Sequence, residues 1–243
     1  MTCQLVNNKM DAVCIIFARG GSKGLPGKNI KILADKPLIG WSIEKALKVK
    51  RIKRVIVSTD SDEIASIAEK FGGEVPFRRP FELSEDNTPE WQAWNHALNY
   101  LKDIEGTLPE IMVSLPTTSP FRAVSDIENC LDEYEKGDAD IVVTITDSHR
   151  NPYFNMVKKG LDGTFSLVNE TTLSLSNRQS TPEVFDMTTV CYVANSNFIL
   201  SNSGMFKGKV KAVRIPPERA IDIDTEFDFQ VAVALIKSGR IVL

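Results

Sequence analysis

The sequence predicts an α/β fold: a Rossmann-like, mostly parallel sheet with helices on both faces. Short apolar runs alternate with helix-period stripes through the first 146 residues, the pattern of a parallel sheet covered by helices. Polar and glycine-rich segments follow directly on several of those runs, where ligands gather in doubly wound sheets. The 243-residue chain is 42% apolar and 25% charged, ordinary globular composition with enough apolar residues for one large or two small cores.

Strands are expected at Val13–Phe17, Val55–Ser58, Ile111–Leu115 and Ile141–Ile145. Between them Ile64, Ile67, Ala68 and Phe71 recur at helical spacing, as do Trp91, Trp94, Leu98 and Leu101, and then Ile127, Cys130, Leu131 and Tyr134. These stripes are core faces, so both tryptophans are read as packing rather than as a stacking platform. From Asp147 to Pro182 turn chemistry dominates, with His149-Arg150-Asn151-Pro152, Lys158-Lys159-Gly160 and Asp162-Gly163 separating short strand-like pieces. Strand character returns at Val190–Ala194 and Val210–Ile215, and a last helix carries Phe227, Val231, Ala234 and Leu235 on one face. The expectation is a single domain over 1–243, with 147–189 as an inserted hairpin region.

Several classes are disfavoured. No apolar run is long enough to span a bilayer, and Asn7, Asn8 and Lys9 occupy the place of a signal peptide's apolar centre, so a cytoplasmic location is expected. Cys3, Cys14, Cys130 and Cys191 lie far apart without a Cys-x-x-Cys, and are read as reduced thiols. A net charge of −3 argues against general nucleic-acid binding. His96 and His149 form neither a metal-spaced pair nor a triad with serine, which argues against a histidine-dependent hydrolase.

The richest segment is Ala18-Arg19-Gly20-Gly21-Ser22-Lys23-Gly24-Leu25-Pro26-Gly27-Lys28-Asn29, directly after the first strand. Glycine lets backbone N–H groups approach an anion closely, and Arg19, Lys23 and Lys28 neutralise its charge, so the segment reads as a polyphosphate loop. It is not a Walker A loop: Gly27-Lys28 is followed by Asn29, and Ser22 stands where the first glycine belongs. Nor do Gly20, Gly21 and Gly24 reproduce the dinucleotide spacing. Taken alone it has a second, weaker reading as a surface turn with solvated lysines.

Ala220-Ile221-Asp222-Ile223-Asp224-Thr225 is the second such segment. Alternation in an extended stretch puts Asp222 and Asp224 on one side, with Ile221 and Ile223 toward the core. Two hard carboxylates aimed together suit Mg²⁺, which completes its shell with water and phosphate. The other reading has Asp224 capping the last helix beside a solvated Asp222. Ser58-Thr59-Asp60 after the second strand is a helix cap or a ligand contact. Pro116-Thr117-Thr118-Ser119-Pro120-Phe121-Arg122 after the third holds more hydroxyls than a cap needs. Arg178-Gln179 offers a guanidinium for a carboxylate and an amide for sugar hydroxyls.

In this order the segments resemble the acylneuraminate cytidylyltransferases, which join CTP to sialic acid and related nine-carbon keto-sugar acids. The resemblance rests on the loop from Ala18 to Asn29, Val57-Ser58-Thr59-Asp60, Arg79-Pro80-Phe81-Glu82-Leu83, Thr118-Ser119-Pro120-Phe121-Arg122, Arg178-Gln179 and Asp222-Ile223-Asp224-Thr225-Glu226. It implies a nucleotide site of Arg19, Gly20, Gly21, Ser22, Lys23, Lys28, Asn29 and Arg79, and a sugar-acid side of Thr118, Ser119, Arg178 and Gln179. It also implies Mg²⁺ on Asp222 and Asp224, a catalytic set of Arg19, Lys28, Asp222 and Asp224, and a homodimer through the hairpin region, the partner contributing to each site. Neither nucleic acid nor membrane is expected as a partner.

Two departures fall on the acceptor side: Pro116 replaces a glutamine common in relatives, and Thr188-Thr189 replaces an Asn-Gly. The Asp186-Met187 pair is similar to the legionaminic-acid branch, whereas Leu25-Pro26-Gly27-Lys28 echoes the eight-carbon Kdo enzymes. A Kdo-type synthetase and a catalytically silent nucleotide-binding module are the alternatives.

Overall fold

The computed structural model describes residues 10–169, 181–241 and 243. Its centre is a six-stranded sheet of β1 (Ala12–Phe17), β4 (Ile52–Ser58), β5 (Ile111–Ser114), β6 (Ile141–Asp147), β9 (Phe185–Asn195) and β10 (Val210–Arg214), in the order β10-β6-β9-β5-β1-β4. β1 pairs in parallel with β4 and β5, and β10 with β6; β9 alone runs antiparallel, between β5 and β6. Two short hairpins, β2 with β3 (Ile32–Leu33, Lys36–Pro37) and β7 with β8 (Val157–Lys159, Phe165–Leu167), lie outside it.

The central strands are apolar on both faces because both are covered. Cys14, Ile16, Val57, Val113 and Val193 join the core of α1 (Leu38–Leu47), α2 (Asp62–Lys70) and α4 (Val124–Tyr134). The alternate residues Ile15, Ile56, Met112 and Ala194 join a second core under α3 (Glu90–Asp103) and α5 (Ser196–Ser201). This period-2 division is the signature of a doubly covered sheet. All six expected strands are present; β9 reaches back to Phe185, so the excursion's last five residues belong to the sheet. Helix α1, whose residues are nearly all buried, was not among the expected stripes. Cys14, Cys130 and Cys191 are buried and unbridged, as expected of reduced thiols, while Cys3 lies outside the described residues.

The last helix, α6 (Glu226–Lys237), corrects the expected face. Phe229 and Ala232 are buried with Val233, Leu235 and Ile236 against them, whereas Phe227 and Val231 are exposed. Apolar side chains surround much of this helix, so periodicity does not choose its inner side. The choice comes from a third small core, where Phe229 and Ala232 meet Leu25 of the glycine loop, Phe121, and Ile223 of the aspartate segment. That core seats both chemically distinctive segments against one helix.

Buried cations fix the turn after β5. Lys45 on α1 donates to the carbonyls of Pro120 and Arg122, both at 2.6 Å. Burial and the neighbouring Arg122 charge lower its pKa to about 8. Unfolded lysine titrates near 10.4, so between about pH 8 and 10 the unfolded chain holds more protons and stability rises with pH. The wild type is therefore expected to gain roughly 2 kcal/mol over Lys45→Met between pH 7 and pH 10, read from denaturant melts of both; parallel pH curves would contradict this. No helix among the described residues is long and apolar enough to cross a membrane.

Candidate functional site

The carboxyl ends of β1, β4 and β5 open onto one cleft of about 560 Å³. Arg19, Ser22, Lys23, Gly24, Lys28 and Asn29 line it from the glycine loop, Arg79 from the segment after β4, Pro116, Thr117 and Thr118 from the turn after β5, and Asp222 and Asp224 from the segment before α6. Gly20, Gly21 and Ser119 stand outside the lining.

The loop's shape is set by bonds to its surroundings. Gly20 N–H donates to Asp60 Oδ1 at 2.9 Å. Asp60 therefore holds the loop, while Ser61 caps α2 by accepting from Ile64 N–H. Gly27 adopts φ +66°, a left-handed conformation suited to glycine. A Cβ on Gly24 would lie 2.6 Å from the carbonyl oxygen of Asp224, so loop and aspartate segment come this close only with glycine there. Asn29 is buried; its amide donates to Arg19 O at 2.8 Å and its Oδ1 accepts from Thr117 Oγ1. The loops after β1 and β5 are thus tied by one side chain.

The loop's cations are held by carboxylates. Arg19 pairs with Asp86 at 2.6 Å, Lys23 pairs with the same carboxylate, and Lys28 meets Asp224 Oδ1 at 2.7 Å. These two cations pull the Asp86 carboxyl below its usual range. Arg79 is buried, donating from Nε to Ser84 Oγ at 3.0 Å and from its backbone to Thr59 O at 2.8 Å. A concave site with this density of charge suits a polyanion that exchanges with the internal carboxylates.

Thr225 caps α6: it accepts from Asp228 N–H, and the Asp228 carboxylate accepts from Thr225 N–H at 2.8 Å. Asp224 is not the cap, and its carboxylate faces Lys28. Ile223 between the aspartates is fully buried and donates its N–H to Thr118 O at 2.9 Å, which turns its neighbours toward the cleft. Asp222 Oδ1 is buried without a partner. Burial, and then the charge of Asp224, raise the Asp222 pKa against the hydrogen bonds of Thr118 and Thr189. A buried, unsatisfied carboxylate oxygen beside a second carboxylate fits a divalent cation by its donor chemistry. Among the described residues no group of three or more ligating side chains is assembled, so such an ion would draw on water and phosphate.

On the acceptor side, Thr189 lines the cleft and its Oγ1 lies 2.6 Å from Ser119 Oγ and 3.2 Å from Thr118 Oγ1. Thr188 turns the other way, into a buried bond with Thr144 Oγ1 at 2.7 Å. Pro116 is on the cleft wall. Arg178 and Gln179 lie outside the described residues. Asp86, Thr88 and Glu90 also line the cleft and were not among the expected site residues; the available signal was their place just after Arg79-Pro80, in a polar stretch ahead of a helix.

A cationic glycine loop opposed by a carboxylate pair, at the carboxyl edge of a doubly wound sheet, is the arrangement of a nucleotidyltransferase. More narrowly, the chain belongs to the cytidylyltransferase family, whose family model matches residues 13–237. It is 33% identical over 231 residues to post-translational flagellin modification protein B of Campylobacter coli, across 95% of this chain and 97% of that one. It is also 33% identical over 233 residues to CMP-N,N'-diacetyllegionaminic acid synthase of Campylobacter jejuni, across 93% and 95% of the two chains. Among solved structures it is similar to a CMP:2-keto-3-deoxy-manno-octonic acid synthetase complexed with CTP, with a TM-score of 0.68 at 17% identity over 94% of this chain and 99% of that one, a likeness of fold.

Proposed function

We propose that this protein transfers the cytidylyl group of CTP to a sialic-acid-like nonulosonic acid, giving the CMP-sugar and pyrophosphate. The observation that carries the reading is the single cleft shared by the cationic glycine loop and the Asp222–Asp224 pair. The legionaminic-acid relative supports a nine-carbon acceptor over the eight-carbon alternative, whose likeness is one of fold.

In this reading Arg19, Lys23 and Lys28 leave Asp86 and Asp224 to hold the triphosphate. Ser22 and the Gly20–Gly21 backbone border it, and Asn29 and Arg79 face the nucleoside. Asp222 and Asp224 hold Mg²⁺, which supplies charge neutralisation at the phosphates. Thr118, backed by Ser119 and Thr189, faces the sugar acid together with Arg178 and Gln179. The anomeric 2-hydroxyl oxygen bonds to the α-phosphorus as the bond from that phosphorus to the bridging oxygen breaks. The electron pair leaves with pyrophosphate, and the hydroxyl proton passes to Asp224, the more exposed carboxylate. No covalent nucleophile is required, in keeping with catalysis by positioning and charge.

We further infer a homodimer through the 147–189 excursion, supported by the outward apolar side chains of Val157, Leu161 and Phe165. A cytoplasmic enzyme is consistent with these soluble substrates. Pyrophosphate release is the test, with CTP, Mg²⁺ and a panel of N-acetylneuraminic, legionaminic, pseudaminic, Kdn and Kdo acids. Turnover is expected with a nonulosonic acid and poor with Kdo; a clear preference for Kdo would overturn the acceptor class.

A further inference from the structure

Glu90 opens α3 and lines the same cleft. Its Oε1 accepts from Trp94 Nε1 at 3.1 Å, and Trp94 is itself buried and stacked on Phe17 with ring centroids 6.2 Å apart. The carboxylate is thus oriented by a core residue, beside an apolar wall of Phe17 and Ala93. Arg79 is 6% exposed, and with Nε committed to Ser84 its Nη2 is buried with no partner. The charges of Arg79 and Glu90 act on one another, yet the two form no ion pair. A buried guanidinium nitrogen without an acceptor is costly unless a ligand supplies one.

We propose that Glu90 and Arg79 together read the Watson–Crick edge of a pyrimidine base, making Glu90 the residue that selects a cytosine over a uracil nucleotide. This rests on the cytidylyl-transfer reading and deepens it. Cytosine offers an N4 amine donor beside the N3 and O2 acceptors. The carboxylate accepts from N4 while Arg79 Nη2 donates to N3 or O2, which pairs every group. Uracil turns an O4 acceptor toward the carboxylate, and where Arg79 donates to N3 it also turns an N3–H donor toward the guanidinium, whereas its O2 still accepts; the mismatch common to both arrangements is the one at Glu90.

The test is binding of CTP, UTP and the 2-pyrimidinone ribonucleoside triphosphate, which lacks the N4 amine, to wild type and Glu90→Gln, with thermal unfolding of both. Glutamine keeps an oxygen for Trp94 but presents an amide donor. Wild type is expected to prefer CTP over UTP by at least about 100-fold, and Glu90→Gln to narrow that ratio by about tenfold or more. Wild type should also bind the pyrimidinone about tenfold or more weakly than CTP, a gap that Glu90→Gln closes. A variant that melts with wild type and keeps the CTP/UTP ratio would overturn the proposal. If the variant does not fold, equal binding of CTP and the pyrimidinone by wild type overturns it instead. Wild type that binds CTP selectively while Glu90→Gln changes nothing leaves cytidylyl transfer standing; wild type that binds neither nucleotide removes both.

Discussion

Replacing Asp222 with asparagine is expected to lower turnover by about a thousandfold while leaving the fold intact, because charge stabilisation at transferring phosphoryl groups is commonly worth several kcal/mol. The substitution keeps an oxygen able to accept from Thr118 and Thr189. It removes a carboxylate whose pKa burial and Asp224 already raise, so the charge is disfavoured in the free protein. Thermal stability should therefore equal or slightly exceed that of wild type. Asp224→Asn is expected to lose turnover similarly while loosening Lys28, since it keeps an acceptor oxygen at the 2.7 Å contact but removes the charge that pairs with the ammonium. Steady-state pyrophosphate release at saturating CTP, over a titration of Mg²⁺, measures both. Wild-type rates in either variant would take that carboxylate out of the mechanism.

Arg122→Met is expected to be the most destabilising single change around the site. Arg122 is 1% exposed. Its Nη1 donates to Ser42 Oγ at 2.7 Å, and its Nη2 to the carbonyls of Pro116 and, at 3.3 Å, Thr189. Among the described residues no carboxylate pairs with it directly, and burial lowers its pKa to about 10. Methionine fills much of the volume but takes a donor from the Pro116 and Thr189 carbonyls and from Ser42 Oγ, of which Ser42 and Pro116 keep only their mutual bond at 3.3 Å. Each group left short costs about 1–3 kcal/mol, offset by relief of a desolvated charge. The net loss should be about 3 kcal/mol, or roughly 6–12 °C in Tm for a domain of this size. Pro116 and Thr189 form part of the cleft wall, so KM for the acceptor should rise more than KM for CTP. A melt within about 2 °C of wild type would mean that the turn after β5 does not depend on this cation.

The strands were legible because a strand buried on both faces is a short, dense apolar run with little competing reading. The two distinctive segments were legible because glycines among cations, and carboxylates alternating with isoleucines, carry their geometry in local sequence. Helix α1 was hidden by being apolar nearly all round: Leu38, Ile39, Trp41 and Ile43 show no polar face to mark the period. The inner side of α6 was obscured for the same reason and is decided by Leu25 and Phe121, which lie far away in sequence, together with Ile223 just ahead of the helix. Asp60 illustrates a different limit. Sequence offers it as a cap or a ligand contact, and only the fold brings Gly20 N–H to its carboxylate. The division of labour between Thr188 and Thr189 follows from strand alternation in β9, whose start at Phe185 the turn-rich sequence before it concealed. Glu90 acquires its setting from Trp94 and Arg79, one on its own helix and one in a preceding loop, a combination that no local spacing encodes.

Cytidylyl transfer is tested most directly by ³¹P NMR of one reaction containing the protein, CTP, Mg²⁺ and a nonulosonic acid. Attack at the α-phosphorus predicts equal growth of pyrophosphate and of a new phosphodiester resonance, both dependent on the acid and absent with Asp222→Asn. Growth of CDP and orthophosphate without a phosphodiester, or no change with any acid in the panel, would contradict it.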